Sequence, residues 1–189
     1  MPEPRIPPAP RAAMPERWQA VAARAEEVRG ESTLIEVLAN APELLGWYYD
    51  GFYAEIFFKG RVERRLKELL RLRLSTLHGC AFCNRGNTRS AEEAGVTPGQ
   101  IAALLAGDAA APCFDERDRA VLALAGEMAL QNMQGEVTPA LAAELARFFT
   151  PAEMVELAMV AAVLTGMAKM LFVFDLVSRE ATCPIGRPA

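Results

Sequence analysis

Apolar residues recur every three or four positions through most of the chain, and no stretch alternates apolar and polar residues as a half-buried strand would. The first helical pattern runs from Pro15 to about Arg29 and ends at Gly30. Further helices are predicted at 33–38, 42–58, 61–77, 80–94, 97–107 and 115–133, and two more begin at Pro139 and Pro151, the last running to about Val177. The pattern therefore predicts an all-α fold of about eight helices.

Two of these helices have distinctive faces. The helix at 42–58 is apolar on nearly all sides, as is typical of a helix buried in a core or between subunits. The helix at 61–77 has an apolar stripe, with six Arg or Lys residues between Arg61 and Arg73 on its other face. No aromatic residues are interleaved with these charges, so we expect a solvated face and no nucleic-acid partner. The apolar surface of 42–58 and 154–174 predicts a homo-oligomer.

The composition indicates a single globular domain. The chain has 189 residues, 52% of them hydrophobic and 23% charged, with a net charge of −4 that favours neither nucleic acid nor an anionic membrane. Prolines in residues 1–14 predict a flexible arm, which leaves 15–189 as one helical domain. The longest candidate for a membrane span, Leu157 to Ala168, has twelve uncharged residues where about twenty are needed. We expect a cytoplasmic protein without a membrane partner and without an export signal.

Candidate chemistry lies at Cys80 and Cys83, which stand at CxxC spacing just after Gly79 and the only histidine, His78. Residues three apart share one helix face, so the two sulfurs can meet. If a helix begins near Gly79, both thiols lie in its first turn, where unpaired N–H groups favour the thiolate. The spacing indicates redox catalysis or metal binding in a reducing compartment. Zinc would need two further ligands that no second CxxC supplies, so we expect no metal.

Three further residues are candidates near this pair. Asn87 would stand one turn beyond the second cysteine, where its amide can only hydrogen-bond. His78 is either an acid/base group, with an ordinary pKa of about 6.5, or a helix-end histidine with a satisfied hydrogen bond. Glu68 is either a catalytic carboxylate or one half of a surface ion pair with a nearby arginine. Cys113 and Cys183 are expected to have no redox role.

The run from 44 to 95, centred on FYAEIFFKGRVERRLKELLRLRLSTLHGCAFCNRGN, resembles the alkylhydroperoxidase D and carboxymuconolactone decarboxylase family. The family pattern is a glutamate, a CxxC that begins twelve positions later, and a histidine four residues after its second cysteine. Glu68, Cys80 and Cys83 match this pattern, whereas Asn87 takes the place of the histidine. The likeness extends more weakly through the second half of the chain, so that it covers roughly residues 42–180, and it implies an oligomeric helical bundle, a trimer or hexamer, without a cofactor.

The resemblance implies a thiol oxidoreductase acting on a peroxide or a small disulfide. Cys83, deprotonated with help from Glu68, would attack a peroxide oxygen, and Cys80 would then condense with the sulfenic acid. A dithiol, lipoyl-type or another, would reduce the resulting disulfide. Twelve residues of straight helix would put Glu68 about 18 Å from Cys80, so this role requires a bend near Gly79. The alternatives are decarboxylation of a muconolactone-type lactone and a redox-sensing oligomer without turnover.

Overall fold

The computed structural model describes residues 3–181 and 183. Over these residues the chain forms nine α-helices and no strand, which confirms the all-α prediction. A π-helix follows the third of them without a break. The α-helices are α1 (Glu16–Arg29), α2 (Thr33–Leu38), α3 (Pro42–Gly46), α4 (Arg64–Leu77), α5 (Ala81–Glu93), α6 (Pro98–Leu105), α7 (Glu116–Glu127), α8 (Pro139–Phe148) and α9 (Pro151–Val173).

Threonine caps followed by proline begin α6, α8 and α9. In each case the threonine side chain accepts a hydrogen bond from the backbone N–H three residues on, and proline takes the first position, where no donor is needed. Thr97 and Thr150 also form complete capping boxes, with Gln100 and Glu153. These local signals explain why the predicted starts agree with the observed ones.

The π-helix, Trp47–Phe57, replaces most of the regular helix predicted at 42–58. Its wider turn brings residues five apart into contact, so that the Tyr48 and Tyr53 hydroxyl oxygens lie 3.5 Å apart. One face of the segment packs on the core, while Trp47 on another face is 56% exposed in the single chain. A segment that is apolar on all sides carries no sequence signal for which face will be covered.

The central helix is α4, which packs against α5, α7 and α9. Its leucines other than Leu77 are buried, and two of its cations reach carboxylates of other helices. Lys67 lies 2.9 Å from Glu156 of α9, and Arg65 lies 2.6 Å from Asp118 of α7. Arg71 pairs with Glu68 of α4 itself. The expectation of a solvated basic face is therefore wrong for Lys67 and for Arg71, because a carboxylate partner allows each cation to be buried.

The turn between α4 and α5 reverses the chain direction. α4 ends at Leu77, and Gly79 adopts a φ of +63°, which glycine tolerates without strain. A Cβ at Gly79 would lie 2.5 Å from the Cα of Cys183. α5 then runs back along α4, so that Ser90 donates a hydrogen bond to Glu68 at 2.7 Å. The bend that a site at Glu68 requires is thus present.

α7 and α9 end at least four residues earlier than the sequence pattern predicts. α7 ends at Glu127 instead of 133, and the Asn132 side chain bonds to the end of the helix. α9 ends at Val173, and by length and composition alone it could cross a bilayer; 44% of its most apolar window is buried.

The described part of the predicted arm contacts the helical body. Residues 3–14 lie against the body, and Ala9 donates to a backbone carbonyl of α2. The rest of the predicted arm (1 and 2) and of the domain (182 and 184–189) lies outside the described residues.

Candidate active site

Cys80 and Cys83 form a disulfide at the start of α5, with their Cα atoms 5.2 Å apart. Cys80 is the N-cap residue, and its sulfur accepts a hydrogen bond from the backbone N–H of Cys83 at 3.2 Å. Cys80 is completely buried, whereas Cys83 is partly exposed and lines a cavity. Cys83 is therefore the sulfur that a small molecule can reach.

The cavity has a volume of about 260 Å³ and lies between α1, α2, the π-helix, α4, α5 and α9. This is slightly below the lower end, about 300 Å³, of pockets for drug-sized ligands, so the space fits a small molecule. Most of its lining is apolar. The aromatic residues that line it are Tyr48, Tyr49, Tyr53, Phe58 and Phe82.

The Tyr48 and Tyr49 hydroxyls of the cavity stay protonated at neutral pH. Burial, together with the neighbouring Tyr53, raises the pKa of Tyr49 to about 12. The same causes, burial first, raise the pKa of Tyr48 well above its ordinary value. These hydroxyls therefore offer neutral hydrogen-bonding groups and add no negative charge to the cavity.

Glu68 is completely buried, which excludes a surface ion pair. Its carboxylate pairs with Arg71 and accepts hydrogen bonds from Arg64 Nε at 3.3 Å and from Ser90 Oγ at 2.7 Å. Ser90 lies seven residues beyond Cys83 on α5, about 10 Å along the helix axis. The carboxylate is thus connected to the cavity through Ser90 and Arg71, both of which line it.

His78 also lines the cavity and is 1% exposed. Its Nε2 accepts a hydrogen bond from the backbone N–H of Leu130 at 3.1 Å, which assigns the ring proton to Nδ1. Burial lowers the pKa of His78 to about 4, so the ring is neutral at neutral pH. The nitrogen that would act as a base is already engaged, and the other can only donate.

Asn87 lies one turn beyond Cys83 and lines the same cavity. It is 4% exposed, yet its amide forms no hydrogen bond with any residue in the ranges 3–181 and 183. The amide atoms keep some accessible surface and open onto the cavity. Cys83, Asn87 and Ser90 follow one face of α5, so the residue at the family's histidine position faces the reactive sulfur's cavity.

Sequence reasoning missed two arginines that line this cavity, Arg29 and Arg71. Arg29 ends α1, a helix with ordinary spacing of apolar residues and no motif. Arg71 lies on the basic face that we expected to be solvated. No Asp or Glu belongs to the cavity lining, which is drawn entirely from described residues. In the same part of the chain, no cluster of three or more His, Cys, Asp or Glu side chains has the arrangement to hold a metal ion.

Residues 42–127, which include the π-helix, α4, the CxxC turn and α5, match the sequence profile of the carboxymuconolactone decarboxylase family. Over these residues, less than half of the chain, the protein resembles this family. The matched segment supplies both cysteines, Glu68 and Asn87, whereas α1, α2 and α9, which complete the cavity, lie outside it. No curated protein matches this chain in sequence.

Three solved structures are among those that share this fold. An uncharacterized peroxidase-related protein from Ralstonia eutropha JMP134, described as an alkylhydroperoxidase AhpD core, has a TM-score of 0.72 and 17% identity, over 96% of this chain and 94% of that chain. The debrominase Bmp8, in a variant complexed with 2,3,4-tribromopyrrole, has a TM-score of 0.71 and 19% identity, over 93% and 91%. A protein of unknown function from Agrobacterium tumefaciens has a TM-score of 0.62 and 19% identity, over 72% and 91%. At these identities the likeness shows the fold alone.

Proposed function

We propose that this protein is a thiol-dependent oxidoreductase that reduces a small apolar oxidant, with organic hydroperoxides as its first substrate class. The observation that supports the proposal is the different exposure of the two sulfurs. Cys83 lines a cavity of small-molecule size, while Cys80 is buried within bonding distance behind it. A sulfur that meets the substrate and a protected sulfur that resolves the product are the two parts such a reaction needs.

The proposed reaction begins from the reduced pair. The Cys83 thiolate attacks the outer oxygen of the hydroperoxide, the O–O bond breaks, and the alkoxide takes up a proton to leave as an alcohol. Cys83 is then a sulfenic acid. The Cys80 thiolate attacks the Cys83 sulfur, hydroxide leaves and is protonated to water, and the Cys80–Cys83 disulfide forms. A small dithiol, lipoyl-type or another, restores both thiols through a mixed disulfide.

The start of α5 supplies the conditions for a reactive thiolate. Both sulfurs lie in the first turn, where unpaired backbone N–H groups and the helix dipole stabilise negative charge. The guanidinium groups of Arg29 and Arg71 line the same cavity and favour an anion there. We expect these groups to lower the pKa of the Cys83 thiol below the ordinary value of about 8.5.

Glu68, His78 and Asn87 are proposed as supporting residues. The position of Ser90 favours a proton path from the cavity to Glu68 by way of Ser90, in place of direct contact with the thiol. Asn87 would orient the substrate by hydrogen bonds, and His78 would position the CxxC turn through its bond to Leu130. None of these roles requires a second histidine.

A second candidate reaction is reductive debromination of a small brominated aromatic molecule. The aromatic lining beside Cys83 favours it, and the debrominase Bmp8 shares the fold. The Cys83 thiolate would take the bromine as Br⁺, the aromatic carbanion would take up a proton, and Cys80 would displace bromide to form the disulfide. Lactone decarboxylation is the weaker alternative because it needs an acid/base pair, while Glu68 and His78 are both engaged.

We further propose a cytoplasmic homo-oligomer, a trimer or hexamer as the family implies. Large apolar side chains of the α3–π-helix segment and of α9 are exposed in the single chain, and their burial would favour association. A reducing compartment would keep Cys83 available between turnovers.

The test is consumption of cumene hydroperoxide with dihydrolipoamide as the reductant. Cys83→Ser should abolish turnover, and Cys80→Ser should allow a single turnover that leaves a sulfenic acid trapped by dimedone. Cys113→Ser, at an exposed cysteine remote in sequence, is the matched control and should retain the full rate. A Cys83→Ser protein that consumes the peroxide at the normal rate would refute the proposal. A wild-type protein that releases bromide from tribromopyrrole but does not consume the peroxide would favour the second candidate.

A further inference from the structure

Arg29 lies where the cavity beside Cys83 meets a second, more open cleft of about 450 Å³ between α1 and α5. Its guanidinium carbon is 4.8 Å from the centre of the Phe82 ring, and its one hydrogen bond, to the Phe82 carbonyl, is long at 3.5 Å. Gly86 makes room for it, because a Cβ there would overlap the guanidinium. Packing therefore holds Arg29 at the junction of both spaces.

The charge of Arg29 is uncompensated within the described residues. Arg71, the other arginine of the lining, is paired with Glu68, but no carboxylate in residues 3–181 forms an ion pair with Arg29. Tyr48, Tyr49 and His78, which line the same cavity, are neutral at neutral pH. Burial lowers the pKa of Arg29, yet an arginine stays charged in proteins. Arg29 is half-buried, and its positive charge faces a largely apolar space without a carboxylate partner.

A second polar group of the cavity lacks a hydrogen-bonding partner. Asn87 is 4% exposed and lines the cavity, and its amide has no hydrogen bond within the part of the chain that the structure describes. Its NH₂ group and the Arg29 guanidinium are both donors. A guanidinium without a carboxylate partner and an amide without a hydrogen bond, both in an aromatic cavity, are complementary to an apolar molecule that carries an anion.

We propose that this site binds a small apolar molecule with one carboxylate, which contacts Arg29 while the apolar body fills the cavity beside Cys83. Arg29 belongs to α1, outside the family-matched segment 42–127, so the likeness over that segment does not account for this contact. The inference rests on the proposed function in one respect only, that the bound anion is the oxidant that Cys83 reduces.

The test measures binding to the oxidised protein, in which the disulfide prevents turnover. The probes are 2-naphthoate and its neutral analogue 2-naphthamide, which have the same size and differ in charge, and calorimetry measures both dissociation constants. We expect naphthoate to bind at least about tenfold more tightly than naphthamide, as expected for a charge-assisted contact. Because no catalysis is involved, failure here is distinguishable from failure of the peroxidase assay.

Three variants assign the charge preference to Arg29. Arg29→Gln should weaken naphthoate binding at least about tenfold and leave naphthamide unchanged. Gly86→Ala should displace the flexible guanidinium and give the same pattern in a protein that keeps its arginine. Arg17→Gln, an exposed arginine on the same helix that pairs with Asp50 and lines neither cavity, is the control and should change neither constant.

Equal binding of the two probes, or absence of binding by both, would overturn the inference. An Arg29→Gln protein that keeps the preference for naphthoate would overturn it as well. If Arg29→Gln does not fold, Gly86→Ala and the wild-type ratio of the two constants decide the question.

Discussion

At the scale of single residues, the two cysteines differ because the N-cap and the first turn of one helix have different surroundings. The N-cap position of Cys80 directs its sulfur into the core, where it accepts a backbone hydrogen bond. Cys83, three residues later, meets the cavity. The CxxC spacing predicts that the sulfurs meet, but not which one a ligand reaches, because that depends on helices far along the chain.

His78 should make stability depend on pH. Its folded pKa is about 4, against about 6.5 when unfolded, so the unfolded chain binds a proton first as the pH falls. The free energy of unfolding should decrease from pH 6.5 towards pH 4, by on the order of 3 kcal/mol. His78→Gln should remove this contribution, as measured by urea unfolding at several pH values. If both proteins lose equal stability over that interval, the assigned pKa is wrong.

Asn87→His places an imidazole on the cavity wall one turn from Cys83. If proton transfer limits the reaction, peroxide turnover should rise at least about tenfold, because positioned acid/base groups contribute about 10²-fold or more. Asn84→His is the control, because Asn84 is on the same helix and bonds to Glu180 outside the cavity. Steady-state kinetics at neutral pH compares the two variants. Equal effects of both would contradict a special role for position 87.

At the scale of elements, the turn between α4 and α5 determines the position of the CxxC pair. Gly79 has a positive φ of 63°, and a Cβ there would approach the Cys183 backbone closely. Gly95 has a φ of 86°, and a Cβ there would meet no atom within 4 Å, so Gly95→Ala is the control for Gly79→Ala. Gly95→Ala should cost about 1–2 kcal/mol for its conformation alone. Gly79→Ala should cost about 1–3 kcal/mol more, since overpacking adds to the strain. Urea unfolding measures both, and equal losses would show that the close approach has no energetic effect.

Helix starts were predictable from sequence because their causes are local. A threonine followed by proline determines the first turn of α6, α8 and α9 wherever they pack. The π-helix was not predictable, since an all-round apolar segment fits either helical period. The end of α7 depends on the side chain of Asn132 in the following loop. The spacing of apolar residues does not predict this contact.

The candidate site was predictable only for the residues of one hairpin. Glu68, the two cysteines and Asn87 lie on α4 and α5, where spacing and family resemblance both apply. Arg29 reaches the cavity from a helix more than fifty residues earlier in the chain. Such a contact depends on tertiary packing, so sequence patterns on α1 gave no signal for it.

At the scale of the whole molecule, the exposed apolar surface leads us to expect self-association. Trp47 is 56% exposed and Met159 of α9 is 55% exposed. Trp47→Glu should convert an oligomer into smaller species by placing a charge in an apolar interface. Light scattering after size-exclusion chromatography measures the mass. Met133→Glu, at a residue that is 89% exposed in a loop, is the control and should leave the mass unchanged. A wild-type protein with the mass of one chain would contradict the proposed oligomer.

The most direct test of the proposed thiol chemistry is the rate at which each cysteine is alkylated as a function of pH, measured by mass spectrometry on the reduced protein. Cys113 is exposed and serves as an internal reference in the same sample. We expect Cys83 to react first, with an apparent thiol pKa well below about 8.5, and Cys80 to react slowly because it is buried. If Cys83 titrates like Cys113, or if Cys80 reacts before it, Cys83 is not the reactive thiol and the proposed chemistry is wrong.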